Sequence, residues 1–118
     1  MKAAKLVYNK PIFVIHLYSL IEIAQIVGGQ LHGNGSVIIQ NITTDSRKIQ
    51  LAESCLFVAI ITPKNDGHHY IPQTLRQNIA GLLVSEKPKE ESNYILVINT
   101  PEALQKLAAY HRKQFSIP

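Results

Sequence analysis

Two polar clusters in this chain carry residue types that could do chemistry. Thr44-Asp45-Ser46-Arg47 offers hydroxyls, a carboxylate and a guanidinium within four residues. The Arg47 fork matches the geometry of a phosphate or carboxylate, and the hydroxyls and nearby amides can contact a ligand. The competing reading is structural. Asp and Ser at a strand end often only close a turn on backbone amides, and Asp45 can equally hold Arg47 or the loop in place. The second cluster, Pro63-Lys64-Asn65-Asp66-Gly67-His68, offers an ammonium and an amide able to read a heterocycle edge. Its Asp-Gly pair also reads as an ordinary turn.

Other chemistries are weaker. His68-His69 suggests metal binding, but neighbours on an extended segment point to opposite sides, so no metal ligand set is assigned. Cys55, the single cysteine, sits in an apolar run and reads as a small buried hydrophobe. It gives no disulfide framework and implies a reducing, cytoplasmic setting. Gly28-Gly29 and Gly33 to Gly35 lack the Lys-Ser/Thr ending of a phosphate loop, and no nucleophile elbow is present, so no residue is assigned as catalytic.

The elements between the clusters define how they are positioned. LeuPheValAlaIleIle (56–61) is apolar on both faces and predicts a central, covered strand, with one cluster before it and one at its end. Ligands in open α/β sheets tend to bind at strand ends. Ser19 and Glu22 have capping-box spacing ahead of Leu20, Ile23, Ala24 and Val27, which predicts a helix stopped by Gly28. His32–Ser36 reads as a turn between short strands, and 37–42 as one strand. A helix from Tyr70 or Ile71 to Asn78, strands at 80–84 and 94–98, and a helix begun by Thr100-Pro101 follow. In that last helix Thr100 is the expected cap, and Leu104, Leu107, Ala108, His111 and Phe115 the inner face. A strand at 12–15 is expected, and Ser116–Pro118 reads as a linker.

At 118 residues, 46% hydrophobic and 17% charged, the chain fits one folded α/β domain with helices on a mixed or parallel sheet. The net charge of +4 is scattered, with no basic stripe interleaved with aromatics, so nucleic acid is not an expected partner. No stretch approaches a membrane span, and the N-terminal run lacks a signal-peptide cleavage site.

ThrThrAspSerArgLysIle, LeuPheValAlaIle, AspGlyHisHisTyrIle and GlyLeuLeuVal, in that order, resemble the N-terminal domain of Mur ligases of the MurE and MurF type. The resemblance runs from about Tyr18 to Pro118 and leaves 1–17 as an N-terminal extension. The AsnAspGlyHis wording and the HisArgLysGlnPheSerIlePro ending are most similar to the fused type in which MurF is joined to alanine racemase, which would bring PLP. The resemblance implies recognition of the UDP end of UDP-N-acetylmuramoyl-tripeptide in peptidoglycan synthesis. ATP and Mg²⁺ would belong to a central domain and the incoming D-alanyl-D-alanine to a C-terminal one, both outside this chain. It implies that Thr44 and Ser46 face the uridine diphosphate, that Pro63, Lys64 and Asn65 line the uracil and ribose, that Asp66 shapes that loop, and that Arg47 either binds or is structural. Pro63-Lys64 departs from the loop residues often found there. A free-standing α/β binding or interaction domain is the alternative.

Overall fold

A computed structural model of the chain describes residues 17–114. The expected 12–15 strand, Phe115 and the 116–118 linker lie outside the described residues.

The chain enters through β1 (Tyr18–Ser19) into α1 (Leu20–Val27). The capping box is formed as its spacing predicts. Glu22 N–H donates to the Ser19 hydroxyl at 3.3 Å, and Ser19 N–H donates to the Glu22 carboxylate at 2.8 Å. Leu20, Ile23, Ala24 and Val27 form the buried stripe, and Gly28 closes the helix in the left-handed conformation at φ 70°.

Next come β2 (Gln30–His32), β3 (Ile38–Ile39) and β4 (Asn41–Thr43). Here the local reading is corrected twice. The expected single strand over 37–42 breaks at Gln40, whose N–H leaves the ladder to donate to Ser54 O at 2.8 Å. β2 does not pair with β3 across the glycine turn. Instead β2 runs antiparallel to β9 (Tyr94–Leu96), and β3 runs antiparallel to β1. Asn93 pulls the turn towards β9 by accepting the Asn34 N–H at 2.8 Å.

The main sheet has the order β2-β9-β8-β5-β4, with β5 at Cys55–Val58 and β8 at Gly81–Val84. β4, β5, β8 and β9 are parallel, and β2 is an antiparallel edge. Every residue of β5 and β8 is buried, as continuous apolar runs in a doubly covered sheet require. Alternate side chains serve opposite faces. Leu56, Val58, Leu83 and Ile95 pack with α1 and with α3 (Thr100–Gln114). Phe57, Leu82, Val84 and Tyr94 pack with Ile71 of α2 (Ile71–Arg76) and with Ile79. α2 ends two residues earlier than expected, at Arg76, because Asn78 takes a positive φ of 62° that a helix cannot continue through.

Two strand ends are shorter than the apolar runs suggested. β5 stops at Val58, and Ile61 is half exposed in a separate hairpin; β9 stops at Leu96, and Ile98 is 98% exposed. α3 keeps Leu107 buried and Leu104 packed on the core as expected, and His111, though exposed, is hydrogen-bonded to the Tyr18 hydroxyl at 3.0 Å. Ala108 is exposed, and the buried face extends to Thr100 and Ala103. The Thr100 hydroxyl donates to the buried Ala59 O at 2.7 Å and so turns inward. Asn99 takes over the cap, its side-chain oxygen accepting the Glu102 N–H at 2.8 Å. Among the described residues no helix is long and apolar enough to cross a membrane.

Candidate functional site

Parallel pairing decides where the two clusters meet. The segment 44–54 returns the chain to the start of β5, so β4 and β5 both end at the same edge of the sheet. The cluster that precedes β5 in sequence therefore stands beside the cluster that follows it, at the carboxyl edge where open α/β sheets bind ligands.

The first loop is braced from within. Asp45 N–H donates to the Thr43 hydroxyl at 3.0 Å. Arg47 donates its backbone N–H (2.9 Å), Nε (3.0 Å) and Nη2 (3.0 Å) to the Asp45 carboxylate. These bonds, first the Arg47 side chain and then its backbone, hold the Asp45 carboxyl down at about 2. In return Asp45 raises Arg47 above its ordinary value, with a smaller contribution from the Tyr70 phenol. Arg47 is thus already paired, which favours the structural role for Asp45 over a freely offered guanidinium fork.

Thr44 is exposed, and its hydroxyl has no partner among the described residues. Ser46 is a buried residue whose carbonyl accepts from Gln77 Nε2 at 3.5 Å. No fully buried side-chain oxygen among the described residues lacks a partner, so the Ser46 hydroxyl, which has none, reaches the surface.

The second cluster is a hairpin, β6 (Ile61–Thr62) paired antiparallel with β7 (Asn65–Asp66), with Pro63-Lys64 at its tip. Lys64 is exposed and makes no ion pair among the described residues. The Asn65 side-chain oxygen accepts from Asp66 N–H at 3.0 Å and from the Tyr70 hydroxyl at 3.3 Å, which leaves its amide nitrogen available. Asp66 is turned inward. One carboxylate oxygen accepts the His68 backbone N–H at 2.9 Å and bonds His68 Nδ1 at 2.7 Å, and these bonds lower its pKa. Asp66 thereby braces the loop through one of its two carboxylate oxygens.

The hairpin joins the sheet through Gly67. Its N–H donates to Ile60 O at 2.9 Å, and a Cβ there would sit 2.7 Å from Ile60 N. Only glycine fits so close to another backbone.

His68, Tyr70, Gln77 and Ser85 complete the arrangement; of these the sequence reading weighs only His68, as part of the second cluster and as a metal ligand, and assigns it no site role. The Asp66–His68 spacing of two was a usable signal for an Asx turn. Ligand atoms of Asp66, His68 and Glu86 lie within 4.8 Å of one another. His68 cannot serve a metal there without losing a bond, because Ser85 N–H donates to its Nε2 at 3.0 Å and Nδ1 faces Asp66. Cys55 is fully buried, and burial pushes its thiol pKa up, away from nucleophilic use. A separate cavity of about 630 Å³ lies beyond β9, among Gly28, Leu96, Ile98, Asn99 and Lys106. It touches the carboxyl edge of the sheet at Ser85 but holds none of the site residues expected from sequence.

This fold recurs in solved structures. A crystal structure of MurF from Acinetobacter baumannii superposes with a TM-score of 0.76 at 25% identity, over 86% of this chain and 22% of that one. The UDP-N-acetylmuramoyl-tripeptide–D-alanyl-D-alanine ligase of Buchnera aphidicola (from Acyrthosiphon pisum) is 36% identical over 96 residues, 81% of this chain. The chain is a Mur ligase N-terminal domain. The Escherichia coli K12 ligase of the same name is 32% identical over 81% of the chain. The chain spans about a fifth of the length of the curated relatives it matches, 20% and 21% for these two. No family model matches it.

Proposed function

We propose that this Mur ligase domain recognises the uridine diphosphate end of UDP-N-acetylmuramoyl-tripeptide for a ligase that adds D-alanyl-D-alanine in peptidoglycan synthesis. The supporting observation is the meeting of the 44–47 loop and the 61–66 hairpin at one sheet edge, on a chain similar to ligases of that name. Thr44 and Ser46 hydrogen-bond the diphosphate, and Lys64 meets its charge. Pro63 and the Asn65 amide lie against the base and ribose. Asp66 and the Asp45–Arg47 pair hold these groups in place.

Residues 18–118 make the recognition domain, 1–17 an extension, and the central and C-terminal domains of the longer cytoplasmic protein are its partners. The resemblance places ATP and Mg²⁺ in a central domain outside this chain. The Gly33–Gly35 turn is packed on Asn93 and is followed by Ser36 and Val37, not by a phosphate-binding lysine.

The test is an NMR titration of the chain with UDP-N-acetylmuramoyl-tripeptide. Shifts are expected at 43–47 and 62–68; shifts confined elsewhere overturn the site. A hydrogen bond to a charged group contributes about 1.5–3 kcal/mol. Ser46→Ala should therefore bind roughly tenfold or more weakly while staying folded, and equal affinity removes Ser46 from the site.

A further inference from the structure

We propose that His68 is a positioning residue, locked in one neutral tautomer, that clamps the β6–β7 hairpin to the carboxyl end of β8 and so sets where Lys64 and Asn65 meet the ligand. This rests on the uridine diphosphate reading above.

The hydrogen bonds define the tautomer. A backbone N–H can only donate, so the 3.0 Å bond from Ser85 N–H requires an unprotonated Nε2. The ring proton then sits on Nδ1 and donates to Asp66 at 2.7 Å. The His68 side chain is 7% exposed, which shields both bonds from water. One ring thus spans 17 residues of sequence, from the end of the hairpin to the first residue after β8. Asp66 is pinned by the ring and by the His68 backbone at once, and Asp66 is the last residue of β7. Any rotation of the ring would pull the returning strand of the hairpin with it. His68 itself touches no ligand-facing group, so it acts through the hairpin.

The two bonds can be removed separately. His68→Gln places an amide oxygen near Nε2 and keeps an acceptor for Ser85. His68→Asn reaches only Asp66. His68→Phe keeps neither.

The first measurement is a long-range ¹H–¹⁵N spectrum of the 118-residue chain without ligand. A proton on Nδ1 is expected, and a proton on Nε2 overturns the clamp. The second is titration of the wild type and the three variants with UDP. His68→Phe, folded by circular dichroism, should bind about five- to tenfold more weakly, and His68→Gln within about threefold of wild type. Wild-type affinity in folded His68→Phe overturns the positioning role. If that variant does not fold, the order of the other two decides: Gln tighter than Asn supports the clamp to Ser85, and the reverse overturns it. If wild type shows no UDP-induced shifts at 44–47 or 61–66, the uridine diphosphate reading fails, and the ligand-free tautomer still decides whether the clamp exists.

Discussion

Gly67→Ala should be the most damaging single-methyl change at the candidate site. The added Cβ would lie 2.7 Å from Ile60 N, 3.0 Å from Ala59 Cα and 3.2 Å from the Ala59 carbonyl carbon. Favourable contacts between such atoms begin near ~3.5 Å, so the hairpin must move by roughly 0.5–1 Å. All three neighbours are backbone atoms at the exit of a fully buried strand, so no rotamer change relieves the clash. The same shift stretches the 2.9 Å bond from Gly67 N–H to Ile60 O. Overpacking of this kind destabilises by about 1–3 kcal/mol. For a domain of this size each kcal/mol lowers Tm by very roughly 4–8 °C. Thermal melts followed by circular dichroism should therefore show a drop of at least several degrees. Amide spectra should show shifts concentrated at 59–68. Gly28→Ala is the control. It has nothing within 4 Å and only its left-handed backbone to strain, at about 1–2 kcal/mol, so the hairpin amides should not move. A Gly67→Ala melt within about a degree of wild type, with hairpin amides in place, would refute the close-approach argument.

Thr100→Val preserves side-chain shape but leaves the buried Ala59 carbonyl without its donor at 2.7 Å. The loss should be about 1–3 kcal/mol in denaturant unfolding, and a change under ~0.5 kcal/mol would show that the bond is not what orients α3. The Asp45 carboxyl is held down at about 2, so its bonds to Arg47 contribute fully above the ordinary carboxylate range and are lost only as pH falls through about 2. A carboxyl ¹³C titration of Asp45 should place the midpoint there, and a midpoint near ~4 would mean that the brace does not persist in solution.

What could be read from sequence was local. The Ser19–Glu22 box and the apolar runs of β5, β8 and β9 depend on neighbours a few residues away or on uniform burial. Where the reading failed, a distant partner decided. Gln40 leaves its strand for Ser54. Thr100 and Asn99 are both good caps, and the Ala59 carbonyl, 41 residues from Thr100, claims the first and leaves the second to cap. The candidate site shows the same division. Its polar residues were visible as two clusters, and Asp45 was visible as a possible brace for Arg47. That the clusters share an edge follows from the parallel pairing of β4 with β5, which no local pattern encodes. Ser85, the far anchor of His68, has no signal in sequence at all.

The internal bonds divide the site into groups that hold and groups that are free. Asp45 and His68 spend their side-chain polar atoms on neighbours, and Arg47 and Asp66 spend part of theirs, whereas Thr44, the Ser46 hydroxyl, Lys64 and the Asn65 amide keep theirs available. A ligand meeting such a site has little loop ordering to impose, which preserves affinity that would otherwise go into immobilisation. Arg47 gives Asp45 its Nε–H and one Nη2 hydrogen, so Nη1 and the second Nη2 hydrogen, on a side chain 82% exposed, could still meet an anion without breaking that pair. The Asp45 carboxylate beside it offsets its charge, however, whereas Lys64 makes no ion pair among the described residues. On the proposed reading a diphosphate therefore gains more attraction from Lys64 than from Arg47, which stands next to a carboxylate of the ligand's own sign.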